Sequence, residues 1–354
     1  HLKTAKSPAL AQVMADAGMR GFCVAKLGEA EVFAAAGFDD LLITSDLAGA
    51  PKLRRLAALH AAHPGIRVVV DSAAGAELLN AACDGAAHPL EVLIDLDVGQ
   101  RRCGVAPGAP AIDLARTIAR LPQLRLVGLQ GYEGHLQHIA DAAEQARQVD
   151  AAMAQLTATA DLLRAAGHPI AVVTTGGTGT CERCAQHSGV TEVQPGSFLF
   201  LDRAYRDALG AHSPYRNALT VAATVISRPA PQRAVIDAGL KALSTDMGNA
   251  EPVGLPGVRY RPGGDEHGIL EWRGGRLSNW LFRVGVPLPW ARRCAVEQRT
   301  ANATRVARVR RDGAAGGALP TPPTRGGRVY RLAGAYGVPC ASACSRAIFC
   351  AFRA

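Results

Sequence analysis

The 354-residue chain has no run of about 18 apolar residues, and it does not open with the charged, apolar and small-residue succession of a secretory leader. A membrane span and an export signal are therefore not supported, and a soluble, cytoplasmic protein is the expectation. The chain also lacks the even cysteine count of a disulfide framework, because nine cysteines without a leader argue for free thiols. Cys181 and Cys184 have the spacing of half a zinc knuckle, but no second pair stands at a matching distance. Chance spacing in a loop is the better explanation. Lysine is missing from residues 271–354, where fifteen arginines meet only three acids. Taking these from the 39 basic and 30 acidic residues of the whole chain leaves 24 and 27 in residues 1–270. The net charge of +9 thus belongs to the tail. With no recognisable binding module there, nucleic acid is not an expected partner.

What is present is an alternation. Seven strand-like segments, 21–26, 40–44, 66–71, 90–97, 124–129, 170–175 and 190–194, each stop at polar or glycine residues, and an eighth would end at Lys3. Between them lie alanine- and leucine-rich stretches of helical spacing, such as 52–60, 74–82, 111–121 and 140–166. This order implies parallel pairing with right-handed crossovers. Eight units in roughly 200 residues fit a (β/α)8 barrel of the TIM type better than an open doubly wound sheet. After Asp202 the pattern turns to short β-like runs at 219–227 and 233–236. The expected division is a barrel over 1–205, the start of a smaller β domain over 206–272 and an Arg-, Pro- and Gly-rich tail over 273–354.

Chemistry in such a barrel gathers where strands end. Lys3 stands at the end of the first, and a lysine in a desolvated pocket can lose its proton and attack an aldehyde. From these residues alone, a solvated lysine at a frayed terminus is the better reading. Counted from the Lys3 strand, Thr174-Thr175-Gly176-Gly177-Thr178-Gly179-Thr180 closes the seventh strand, 170–175, and Gln194-Pro195-Gly196-Ser197 the eighth, 190–194. Glycines let backbone N–H groups approach an anion and hydroxyls add donors, so the two loops together point to phosphate. Arg101 and Arg102 could face a phenolate or carboxylate. Tyr132 suits ring contact, and His135 could move protons near neutral pH. A lysine, a phosphate cradle, an arginine and a histidine on one face suggest pyridoxal phosphate.

These residues resemble the D-threonine aldolase and D-serine dehydratase family, whose barrel is of the alanine racemase N-terminal type. The resemblance covers residues 1 to about 270 and rests on HLKTAKSP, KLGEAEVFAAAG, DVGQRRCGV, GYEGHLQH, TTGGTGT, TEVQPGSFLFLD, DAGLKALSTD and DEHG. It implies Lys3 as the covalent anchor of the cofactor. Thr178, Gly196 and Ser197, with Gly177 in the same cradle, would lie at its phosphate, Gln130 and Tyr132 beside its ring, and Arg102 near the ring oxygen. It further implies a homodimer, a small D-amino acid as substrate and a divalent metal. Two positions depart from the pattern: Ala5 where the family often has histidine, and Phe198 where it has tyrosine. The Gly131-Tyr132-Glu133-Gly134 stretch is closer to the aldolases, which cleave the Cα–Cβ bond of D-3-hydroxy amino acids, than to the dehydratases. A racemase would need a second acid/base such as Tyr215 or Tyr260, and a non-catalytic carrier would lack the DAGLKALSTD and DEHG signatures.

The family's metal ligands, a histidine with an aspartate or cysteine two positions later, belong downstream of DEHG, yet no histidine follows His267. The composition of the tail is that of GC-rich DNA read out of frame, so a frameshift near 272–280 is expected, with a divergent domain as the alternative. The chain opens at His1 inside the strand expected to carry Lys3. With both ends altered in this way, cofactor binding is expected to be weak and activity impaired.

Overall fold

A computed structural model describes residues 1–210, 213–273 and the pair 296–297. Seven strands, β1 (Phe22–Val24), β2 (Leu41–Ile43), β3 (Ile66–Val70), β4 (Leu90–Asp95), β5 (Leu124–Gln130), β6 (Val172–Thr175) and β7 (Glu192–Val193), form one parallel sheet in sequential order. A doubly wound sheet would reverse its order part-way; this one curls toward closure. The middle strands, β2 to β6, are mostly buried, as in β4, where five of six positions are buried, whereas the edge strands β1 and β7 are largely half-buried.

The expected strand ending at Lys3 is instead a turn. Leu2 N donates to Cys23 O of β1 at 2.7 Å, and the His1 ammonium donates to Pro195 O, just past β7, at 2.8 Å. Two residues bridge the sheet edges with one bond each, too few for a ladder, and the wholly buried Leu2 fills the seam.

Helices α1 (Pro8–Asp16), α2 (Leu27–Ala35), α3 (Ala50–Ala62), α4 (Ala73–Ala82), α5 (Ala109–Ile118) and α6 (Ala142–Ala165) cover the outside, followed by short α7 (Cys181–Cys184) and α8 (Arg203–Leu209). In α5 the buried Ala111, Leu114, Ala115 and Ile118 fall at i, i+3, i+4 and i+7, one stripe toward the sheet. Asp141 caps α6 by accepting from Ala143 N and Glu144 N at 2.9 and 3.0 Å.

The remainder is antiparallel. Strands β8 (Thr220–Val221), β9 (Val225–Ala230), β10 (Arg233–Ile236), β11 (Glu251–Pro252), β12 (Val258–Pro262), β13 (Gly268–Trp272) and β14 (Val296–Glu297) form a sheet of order β12-β13-β10-β9 and another of order β11-β14-β8. Apart from β14, the expected out-of-frame tail from residue 274 lies outside the described residues.

Candidate active site

The carboxyl ends of the barrel strands open on a cavity of about 430 Å3, a size suited to a small molecule. Lys3, Arg102, Gln130, Tyr132, Gly177, Thr178, Gly196 and Ser197 line it together. His135 does not: it is exposed on the 134–136 turn with its ring against Gly99. Tyr132 lies close to two cations, with Lys3 Nζ and Arg102 Cζ each 5.6 Å from its ring centroid, within cation–π reach. Lys3 is exposed within the cavity.

The floor is a buried amide network. Gln130 Nε2 donates to Asp95 Oδ1 at 2.9 Å and lies 3.4 Å from Thr44 O. Its Oε1 accepts from Gln194 Nε2 at 3.1 Å, and Gln194 also donates to Thr174 Oγ1 at 2.9 Å. Burial pushes the Asp95 carboxyl up to about 7, opposed by the Gln130 hydrogen bond.

The two glycine-bearing loops meet at one end. Phe198 N donates to Thr178 Oγ1 at 3.0 Å, tying them together. Among the described residues, the N–H groups of Thr178, Gly196 and Ser197 donate to no protein acceptor, an arrangement suited to an anion. Gly196 is required for a close approach: an added Cβ would stand 2.9 Å from His1 O and 3.0 Å from Thr4 Oγ1, within two residues of Lys3. Phe198 packs its ring 5.9 Å from that of Tyr215. Neither Tyr215 nor Tyr260 lines the cavity; the Tyr260 hydroxyl donates to Ala238 O.

Sequence reasoning did not single out Thr44, Ser45 or Tyr205, which also line the cavity. Thr44 and Ser45 carry a usable signal, two hydroxyl residues directly after an apolar strand. Asp46, Asp71 and Cys103 bring ligand atoms within 4.8 Å of one another. Burial foremost, then Asp71, raises the Asp46 carboxyl. This set differs from the histidine-containing pair the resemblance implies, and no step is derived through a metal.

The family model for the alanine racemase N-terminal domain matches residues 1–204, and a serine dehydratase domain matches residues 218–289. The chain belongs to this family. Its barrel is the alanine-racemase-like one, and its relatives form the D-threonine aldolase and D-serine dehydratase group. A D-threonine aldolase of Arthrobacter sp is 37% identical over 275 residues, covering 76% of this chain and 71% of the relative. The crystal structure of D-threonine aldolase from Filomicrobium marinum matches with a TM-score of 0.78 at 33% identity, covering 85% of this chain and 80% of that one. D-threo-3-hydroxyaspartate dehydratase from Delftia sp. HT23 matches with a TM-score of 0.72 at 29% identity, covering 84% and 82%. Like them, this family member is an enzyme of the lyase class, and among its described residues no helix is long and apolar enough to cross a membrane.

Proposed function

We propose that the chain is a pyridoxal-phosphate-dependent lyase that cleaves the Cα–Cβ bond of D-threonine-like substrates, giving glycine and an aldehyde. The observation that carries this reading is one cavity holding Lys3, a ring-sized contact surface at Tyr132 and Arg102, and two loops whose N–H groups at Thr178, Gly196 and Ser197 donate to no protein acceptor among the described residues. The residues fit the cofactor: Gly196 brings its loop against the Lys3 segment at a distance no larger residue would allow. When bound, pyridoxal phosphate supplies an electron sink for the pair left by the broken bond. Lys3 supplies the amine for its aldehyde carbon. Thr178, Gly196 and Ser197 supply donors for its phosphate, and Arg102 a cation for its ring oxygen. Gln130, held between Asp95 and Gln194, fixes the floor under the ring. Cleavage also requires an acceptor for the β-hydroxyl proton, a role not assigned to His135, which stands off the cavity wall.

Dehydration is the second reading, favoured by the likeness to the Delftia dehydratase. The two part at their products. Incubated with D-threonine and pyridoxal phosphate, an aldolase releases glycine and acetaldehyde in equal amounts, whereas a dehydratase releases 2-oxobutanoate and ammonia. Glycine formation is the expected result, and 2-oxobutanoate without glycine would overturn the aldolase reading. A homodimer belongs to the same proposal, with sedimentation as its check.

A further inference from the structure

Glu133 is absent from the cavity wall and is wholly buried, in a protein where such a carboxylate needs a reason. Its Oε2 accepts from Gly176 N at 3.2 Å and lies 2.9 Å from the Thr175 hydroxyl, whose proton is shared with Gly131 O. Its Oε1 accepts from the Thr180 hydroxyl at 2.5 Å and from Gln137 Nε2 at 3.1 Å. The groups that donate to Glu133 accept in turn from the loop backbone. Thr180 Oγ1 accepts from Gly177 N at 3.2 Å, and Gln137 Oε1 from Gly179 N at 2.9 Å. Three backbone N–H groups of the 176–179 stretch are thus turned inward, directly or through one side chain, onto Glu133. The one left over is that of Thr178, which lines the cavity.

We propose that Glu133 is a positioning residue for the phosphate end of the site, fixing which N–H of the 176–179 loop faces the ligand. The inference rests on the phosphate reading above and goes beyond it by assigning the loop's shape to a carboxylate one layer behind the wall. Isosteric Glu133→Gln is the sharp probe. Its amide must present an N–H either to Gly176 N–H or to Gln137 Nε2–H, so volume is kept while one donor is forced away. Thr180→Val interrupts the same relay at its hydroxyl, without altering Glu133, and serves as the independent second variant.

The experiment compares affinities for pyridoxal phosphate and for pyridoxal, the same aldehyde without phosphate, by absorbance and fluorescence titration of the full chain. Wild type should favour the phosphorylated ligand strongly. In both variants that preference should fall at least about tenfold, the effect of misaligning one hydrogen bond to a charged group, with pyridoxal affinity changed by no more than about twofold. An unchanged preference in the variants overturns the proposal. So does equal loss of both affinities, which would mark Glu133 as a fold residue only. A wild type with no preference at all overturns the phosphate reading itself, and this inference with it.

Discussion

Asp95 ends β4 beneath the cavity, 5% exposed, and burial raises its carboxyl from 3.8 to about 7, with Asp46 and Asp71 adding to the shift and Gln130 and Arg102 opposing it. Between these two values the folded protein holds a proton that the unfolded chain has released. Stability therefore falls as pH rises from about 4 to about 7 and levels off above, by at most roughly 4 kcal/mol. Asp95→Asn has no such proton and still offers an oxygen to Gln130. The Tm difference between variant and wild type should widen in favour of the variant across that window, and parallel curves would place the slope on other groups. Lys3 makes a simpler claim. With pyridoxal phosphate added, wild type should develop an absorbance band near the edge of the visible, and Lys3→Ala should not; a band that survives in the variant would remove Lys3 from its role.

At the scale of elements, the strands were legible because most are short, largely apolar runs halted near a polar or glycine residue, as when Leu41–Ile43 gives way to Thr44. The cradle loops were legible because glycine and threonine together at a strand end have few structural reasons to be there. The strand at Lys3 was not, since its pairing depends on what the sheet edges offer, and the structure grants it one bond on each side. Tyr205 escaped notice for a related reason: α8 reaches the cavity only through tertiary packing, its tyrosine ring 4.5 Å from that of His138. Glu133 reads in sequence as an ordinary loop acid, and only the meeting of the loops after β5 and β6 shows its partners. Gly196→Ala tests the loop after β7 as an element. Its new Cβ would press on the backbone of His1, moving the Lys3 segment from the cradle, at a cost of about 1–3 kcal/mol. Affinity for pyridoxal phosphate should fall along with Tm. Unchanged affinity would mean that the Lys3 segment yields without consequence.

On the scale of the molecule, two large hydrophobic clusters account for most of the core among the described residues, beside a small third one at Leu42, Val69 and Leu93 of the barrel strands. Of the large two, one runs through the barrel from Leu2 to Cys184, and the other lies in the antiparallel part, around Val225, Ile236, Tyr260, Leu270 and Trp272. Ion pairs from Arg203 and Arg206 of α8 to Glu251 of β11 join the two parts. Half-exposed pairs of this kind contribute at most about 1 kcal/mol each, far less than either core. Calorimetry should therefore resolve two unfolding transitions. The proposed ligand contacts all come from residues of the barrel, so pyridoxal phosphate at about a hundredfold over its dissociation constant should stabilise that part alone, by about 2.7 kcal/mol. For a unit of roughly 200 residues this raises one Tm by about 5–10 °C and leaves the other in place. A single transition that moves as a whole would show that the β domain and the barrel unfold together, and that ligand binding in the cavity is felt by both.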